Sequence, residues 1–471
     1  MKKIFIILFI FFTTKITAQT HNIIGTWEGK INVGVDLRVV FNFKKDSAGT
    51  ITGTSDSPDQ GVKGIPCSNV MIRNDSLLLD VPSIKGSFAG KFMGNSIIAG
   101  KLTQGRSIEL ILKKVNEISV LIRPQTPQPP FSYISQDVEY DNADKTLHYG
   151  ATITIPKGKG PFPAALLITG SGKQNRDEEI MEHKPFAVIA DHLTKNGYIV
   201  LRVDDRGMGK TSGDFTKATS ADFAMDVSTS LNYLKSRKEV DVKHLGMIGH
   251  SEGGMIAPMV AIQRNDIDFI IMLAGPGEKI SQLMKDQNVA FLISSGFKKD
   301  AAEAYGKLYH NMIPAIISSK NINEAKINLN NIIEAWKKTT PENIVIATTK
   351  IINDSTQKQF VNIFATSLST PWFKYFLQYD PQPYLQKLHC KVLALNGDKD
   401  LQVISKPNLA AIKAALTKSK SPGYFIKEMP GLNHLFQHCK KCTVNEYREL
   451  EETFSPEVLK IMSDWLLNTV K

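Results

Sequence analysis

Three features are scarce in this sequence of 471 residues: cysteines, long apolar runs and blocks of basic residues. Four cysteines are too few for a disulfide-dense scaffold. Beyond the N-terminus, no stretch approaches the ~18 apolar residues that a membrane-spanning helix needs. The net charge is +11, yet no block of five or more Lys and Arg occurs. We therefore interpret the charge as a solvated basic surface and expect no nucleic-acid binding.

The N-terminus has the pattern of a secretory signal peptide. Lys2 and Lys3 precede an unbroken apolar run over residues 4–12, and Ala18 offers a small residue for cleavage. We predict a signal peptide over residues 1–18, export to the periplasm or the exterior, and no stable membrane insertion of the mature chain. An uncleaved anchor is the alternative.

The cysteines stand in different contexts. Cys390 opens an apolar segment and is expected to be a buried thiol. Cys439 and Cys442 are separated by two lysines, a spacing found in local disulfides, redox motifs and metal sites. No second cysteine pair and no thioredoxin-like context accompanies them. We therefore expect a local disulfide or two free thiols rather than a metal or redox centre.

Residues 21–120 predict an all-β domain. Short segments of alternating polarity, such as 37–43 and 76–81, are separated by turn residues. We expect a small barrel or sandwich that either serves as a structural or substrate-positioning accessory or binds a small ligand. Gly25-Thr-Trp27 is similar to the opening of lipocalin-type barrels. A Pro-rich linker over residues 121–133 follows.

The remaining chain, residues 134–471, predicts an α/β fold. Apolar strands alternate with amphipathic segments of helix length, the pattern of a doubly wound, mostly parallel sheet. Residues 277–388 have helical patterns and separate two strands by more than a minimal sheet requires, so we expect a helical cap insert. Ligands bind such sheets at the carboxyl ends of the strands.

The central motif, Gly249-His-Ser-Glu-Gly253, lies between an apolar strand and an apolar helix start. Gly-x-Ser-x-Gly in this context is typical of a nucleophile elbow, whose strained turn exposes the hydroxyl of Ser251. Gly249 and Gly253 would keep the turn free of side-chain clashes. The amide of Glu252 would lie at a helix N-terminus, where it can stabilise an oxyanion. An ordinary glycine-rich turn is the alternative interpretation.

Two later strand ends carry candidate partners for Ser251. His434 can take the serine proton, and Asp400 can orient that histidine, with Asp398 as the second candidate for the acid. The order Ser, Asp, His along the chain is that of α/β-hydrolases. Other histidines are expected to pack under the elbow (His250) or are candidates for the edge of the site (His183 and His438).

A glycine-rich loop over residues 169–177 follows an early strand. Its backbone amides, those of Ser171 and Gly172 in particular, are candidates for the second half of an oxyanion hole. A nucleotide-binding loop is the rival interpretation. It is disfavoured because the loop has neither a Gly-x-Gly-x-x-Gly pattern nor a Walker-type Lys-Ser/Thr pair.

Together these motifs resemble the α/β-hydrolase superfamily, specifically bacterial secreted carboxylesterases of the EstD type. The resemblance covers residues 134–471, and its matching stretches are 169–177, 204–209, 249–253, 397–400 and 433–434. It implies that Asp205, Arg206 and Gly207 shape the wall near the oxyanion hole.

We therefore predict a serine hydrolase that cleaves small-molecule or glycan carboxylic esters through an acyl-enzyme on Ser251, a reaction that requires no metal or cofactor. Arg206, Trp372 and Phe373 are candidates for the substrate pocket, although the two aromatic residues could instead be core. The alternatives are a serine exopeptidase of prolyl-oligopeptidase type, a carbohydrate acetyl esterase, and a non-catalytic binding protein with the hydrolase fold.

Overall fold

The computed structural model describes residues 21–33, 36–119 and 121–470. The chain divides into two compact units, residues 1–120 and 121–471. The predicted signal peptide over residues 1–18 lies outside the described residues. Among the residues that are described, no helix is long and apolar enough to cross a bilayer.

The first unit contains a closed antiparallel barrel. Of the two architectures predicted for it, the barrel is therefore the one observed. Its strands are β1 (Gly25–Asn32), β2 (Asp36–Lys45), β3 (Ile51–Ser57), β4 (Val62–Arg73), β5 (Ser76–Val81), β6 (Gly86–Phe92), β7 (Ile97–Gln104) and β8 (Arg106–Val115). Each pairs with the next, and β1 closes the barrel on β8. Alternate residues point inward, so Trp27, Phe41 and Phe88 are buried in the core.

The second unit contains a sheet in the order β16-β15-β14-β13-β11-β12-β10-β9. Its strands are β9 (Ile134–Asp141), β10 (His148–Ile155), β11 (Phe162–Ile168), β12 (Ile199–Val203), β13 (Val240–His250), β14 (Phe269–Leu273), β15 (Lys391–Gly397) and β16 (Tyr424–Met429). The strands from β12 to β16 in this order are parallel, and β9 and β10 are antiparallel. The predicted mostly parallel sheet is confirmed.

Helices cover both faces of this sheet. They are α1 (Pro185–Lys195), α2 (Ser220–Ser236), α3 (Glu252–Ala261), α4 (Ile280–Ser294), α5 (Lys299–Ser318), α6 (Ile322–Thr339), α7 (Glu342–Thr349), α8 (Asp354–Leu368), α9 (Pro371–Gln378), α10 (Gln382–Leu385), α11 (Ser405–Leu416) and α12 (Pro456–Thr469). One face packs against α2, α3 and α11, and the other packs against α1 and α12. All five residues of β14 are therefore buried, as expected for a strand covered on both sides.

Helices α4 to α10 form the insert between β14 and β15. Helices α5, α6 and α8 share an apolar core that includes Leu308, Met312, Leu329, Ile333 and Ala365. The insert predicted over residues 277–388 is thus helical. Because β11, β13, β15 and β16 run parallel, the loops that follow them leave the same edge of the sheet.

Candidate active site

The turn between β13 and α3 places Ser251 in a strained backbone conformation, with φ 51° and ψ −114°. A non-glycine residue with positive φ is uncommon and costs free energy, about 1–3 kcal/mol. Surrounding contacts hold the turn: the Ser251 amide donates to the carbonyl of Leu273 at 2.8 Å. A β-carbon on Gly249 would lie 2.1 Å from the carbonyl oxygen of Gly253, and one on Gly253 would lie 2.1 Å from that of Ile168. Both positions therefore exclude any larger residue.

The loops after β15 and β16 bring Asp400 and His434 together. Nδ1 of His434 lies 2.7 Å from Oδ2 of Asp400, and each residue is 3% exposed. The other oxygen of Asp400 accepts the amides of Gln402 and Val403, at 2.7 and 2.9 Å. With Nδ1 occupied, Nε2 is the nitrogen of His434 that can exchange a proton with a nucleophile.

Asp398, the second candidate for the acid, has a different place. Its Oδ1 accepts the amide of Gly431 at 2.6 Å, and its Oδ2 lies 3.2 Å from Nζ of Lys399. The structure thus joins Asp400, and not Asp398, to His434. Among the described residues, the hydroxyl of Ser251 makes no hydrogen bond. In substrate-free serine hydrolases, the hydrogen bond between the serine hydroxyl and the histidine is often long and tightens when substrate binds.

The loop after β11 passes directly beside Ser251. A β-carbon built on Gly170 would lie 3.3 Å from Cβ of Ser251. The Gly170 amide is already used, because it donates to Oε1 of Glu178 at 2.6 Å. Within the described chain, the amides of Ser171, Gly172 and Glu252 have no protein acceptor. They are therefore free to face a substrate oxygen, and their role in an oxyanion hole stays a prediction.

Asp205 fixes both ends of this loop. Its Oδ1 accepts the hydroxyl of Thr169 at 2.8 Å, and its Oδ2 accepts the amide of Gln174 at 2.7 Å. Burial, together with the nearby carboxylates of Glu252 and Glu178, raises the pKa of Asp205 to about 8. The loop is therefore held by a carboxyl group that keeps its proton at neutral pH.

This raised pKa predicts how stability depends on pH. Asp205 binds its proton more tightly in the folded chain than in the unfolded chain, where its pKa has the ordinary value of 3.8. Its contribution to the free energy of unfolding is therefore fully present below about pH 4 and is lost as the pH rises to about 8. In Asp205→Asn, the amide can accept from Gln174 and donate to Thr169 without ionising. We expect the loss of Tm between about pH 4 and pH 8 to be smaller in this variant by about 5 °C. Calorimetry at a series of pH values measures it, and parallel wild-type and variant curves would contradict it.

Arg206, predicted as a pocket residue, forms a two-point ion pair with Asp226 of α2. Nε lies 2.6 Å from Oδ2, and Nη2 lies 3.0 Å from Oδ1. Arg206 lines the same cavity as Gly170, Gly172 and Glu252. Its charge is therefore largely balanced by Asp226 where it borders the loop beside Ser251.

The carboxylate of Glu252 is buried rather than facing solvent. Its Oε1 accepts the hydroxyl of Ser220 at 2.5 Å and the indole N–H of Trp372, on α9 of the insert, at 2.9 Å. Burial raises the pKa of Glu252. Of the two aromatic pocket candidates, Trp372 thus contacts the elbow, whereas Phe373 packs against the core of the insert.

Cys439 and Cys442 form a disulfide, one of the two expected states. The carboxylate of Glu446 lies near both sulfurs, but it accepts the amides of residues 440–442. Cys390 is a buried free thiol, as predicted. These groups leave no thiolate pair for a metal while the disulfide persists.

The other candidate histidines are engaged elsewhere. His183 is buried between the hydroxyl of Thr453 and the carbonyl of Tyr447, and burial lowers its pKa to about 4. His438 pairs with Glu452. His250, next to Ser251, is buried and contacts Glu178, a loop residue that no sequence pattern distinguishes.

Residues 181–438, more than half of the chain, match the family described as serine aminopeptidase, S33. The esterase EstD of Thermotoga maritima is 37% identical over 151 residues, which are 32% of this chain and 36% of that protein. The chain therefore spans about a third of the length of this relative.

Two solved structures are also similar. An esterase of Pyrococcus furiosus has 13% identity and a TM-score of 0.43, over 75% of this chain and 99% of that one. Est1E of Butyrivibrio proteoclasticus has 17% identity and a TM-score of 0.39, over 71% of this chain and 99% of that one. The segment matched by the family contains Ser251, Asp400 and His434. The chain belongs to the serine aminopeptidase S33 family of α/β-hydrolases.

Proposed function

We propose that this protein hydrolyses carboxylic esters through an acyl-enzyme formed on Ser251, with His434 as general base and acid and Asp400 orienting it. The observation that carries the proposal is the strained Ser251 at the elbow, beside strand-end loops that hold a buried His434–Asp400 pair at 2.7 Å. The likeness to EstD supports an ester as the substrate.

Each step of the proposed reaction has a candidate group. Nε2 of His434 takes the proton of Ser251, and the alkoxide attacks the ester carbonyl. The amides of Glu252 and of Ser171 or Gly172 stabilise the oxyanion, at about 3 kcal/mol per donor. His434 then protonates the leaving alcohol and activates the water that releases the acid.

Covalent labelling tests the nucleophile directly. A fluorophosphonate should add once per folded chain, and peptide mapping should place the adduct on Ser251. Ser251→Ala should remain unlabelled, whereas Ser236→Ala, which alters an exposed serine on α2, should label like the wild type. Equal labelling of Ser251→Ala would refute the assignment. A folded wild-type chain that takes up no label would favour a non-catalytic binding protein.

The family description favours one second candidate, cleavage of aminoacyl amides. A panel of short acyl esters, acetylated glycans and aminoacyl amides separates the alternatives. Faster turnover of aminoacyl amides would assign an exopeptidase, and selective release of acetate from glycans would assign a carbohydrate esterase.

We also propose that the chain is exported and that its signal peptide is cleaved after Ala18. The signal-peptide pattern and the Cys439–Cys442 disulfide support this, since disulfides persist in oxidising compartments. Mass spectrometry of the secreted chain should give a mature N-terminus at Gln19. Recovery of the uncut chain would favour the anchor.

A further inference from the structure

His250 bridges two parts of the site. Its Nδ1 lies 3.0 Å from Oε1 of Glu178, and its Nε2 lies 2.9 Å from the carbonyl oxygen of His434. His250 is 6% exposed and Glu178 is 5% exposed. The small cavity beside this contact is otherwise lined by apolar side chains: Pro185, Phe186, Ile189, Leu273, Leu435 and Phe454.

The two contacts favour the charged form of His250. A neutral imidazole has one N–H donor, yet both ring nitrogens here face oxygen acceptors, and only the imidazolium donates to both. Burial lowers the pKa of His250, but the charge and hydrogen bond of Glu178 outweigh it, so that the net shift is upward. His250 and Glu178 thus form a buried ion pair.

Glu178 connects this pair to a third part of the site. The same Oε1 accepts the amide of Gly170, in the loop beside Ser251. Glu178 has a positive φ of 51°, so its backbone is strained where the side chain makes these bonds. One ion pair therefore connects three parts of the site. They are the loop over residues 169–177 (the oxyanion loop), His250 itself, and the loop after β16 that carries His434 (the base loop).

The ring of His250 also lies close to that of His434, with 4.8 Å between the two ring centroids. Glu178 contacts the ring nitrogen opposite the one that faces the His434 carbonyl. Asp400, in the loop after β15, also acts on His250 through its charge, and Glu178 acts in the same way on Asp205.

We propose that Glu178 and the imidazolium of His250 are positioning residues that hold the oxyanion and base loops against the Ser251 elbow. This inference rests on the proposed function.

Glu178→Gln tests the pair. The amide is neutral, so His250 loses its counter-ion and its charge. The contacts of residue 178 with Gly170 and His250, and that of His250 with the His434 carbonyl, then cannot all be hydrogen bonds. If the Gln oxygen accepts from both Gly170 and His250, an unprotonated Nε2 of His250 faces the His434 carbonyl. We expect kcat to fall about tenfold while KM stays within about twofold of the wild type, because displaced loops weaken contacts made in the transition state.

His250→Gln is the second variant, because its amide can still donate to the His434 carbonyl but carries no charge. The same fall in kcat is expected. His192→Gln, which alters a partly buried histidine bonded to Ser463 on α12, is the matched control and should keep the wild-type kcat.

Rates are expressed per site titrated with fluorophosphonate, so that misfolded protein does not count. A purely structural role would lower the titrated fraction and the Tm but leave kcat per titrated site unchanged in both variants, and that result would overturn the inference. Wild-type protein that is not labelled on Ser251 would instead refute the proposed function itself, so the two failures are distinguishable.

Discussion

Ser251→Ala should turn over short p-nitrophenyl esters about 10⁴- to 10⁶-fold more slowly than the wild type. Alanine removes the only atom at this position that can form the acyl-enzyme. The fold should survive, because alanine tolerates φ 51° no worse than serine does and the amide bond to Leu273 is kept. The measurement is kcat/KM on purified protein.

A matched control separates chemistry from folding. Ser236→Ala should stay within about twofold of the wild type, since surface substitutions away from special features change stability little. If Ser251→Ala kept wild-type turnover with a native Tm, the nucleophile would have to be sought elsewhere.

Asp400→Asn should lower kcat by about 10³- to 10⁴-fold. Oδ1 of Asp400 accepts two backbone amides, so an asparagine should keep its oxygen there and turn its NH₂ towards Nδ1 of His434. Nδ1 must then accept, and the proton moves to Nε2. In that tautomer, the nitrogen required to deprotonate Ser251 is already occupied.

Asp398→Asn is the matched control, because asparagine can still accept the amide of Gly431 through its oxygen. We expect less than about a fivefold loss of kcat, consistent with a group that shapes a turn without touching His434. A large loss in Asp398→Asn with a small one in Asp400→Asn would reverse the assignment of the acid.

Local patterns were sufficient to predict the α/β fold of the second unit and the all-β class of the first. The parallel strands are nearly continuous apolar runs, such as β14, because both faces are covered, and the barrel strands alternate because one face is buried. The sequence left barrel and sandwich open, since closure depends on pairing between β1 and β8, more than 80 residues apart. Such pairing leaves no local pattern.

The candidate site divides in the same way. Gly249 and Gly253 identify the elbow because only glycine fits where backbone atoms would lie 2.1 Å from a β-carbon. The choice of Asp400 over Asp398 required the structure. The two aspartates are chemically identical and only two residues apart, and they differ in the partners that their side chains contact. The contact of Glu252 with Trp372 joins residues 120 positions apart.

The sequence by itself determined the helices and strands, the tight turn at Ser251, and the order in which Ser251, Asp400 and His434 follow strands. Backbone sterics and apolar periodicity act over a few residues, so they can be recognised in the sequence. Only the tertiary structure decided which acid contacts His434, where the carboxylate of Glu252 points, and that Glu178 and His250 pair beneath the site. These outcomes depend on burial and on donor–acceptor geometry between distant segments, and the free energy of a buried charge is determined by partners that folding alone brings within 3 Å.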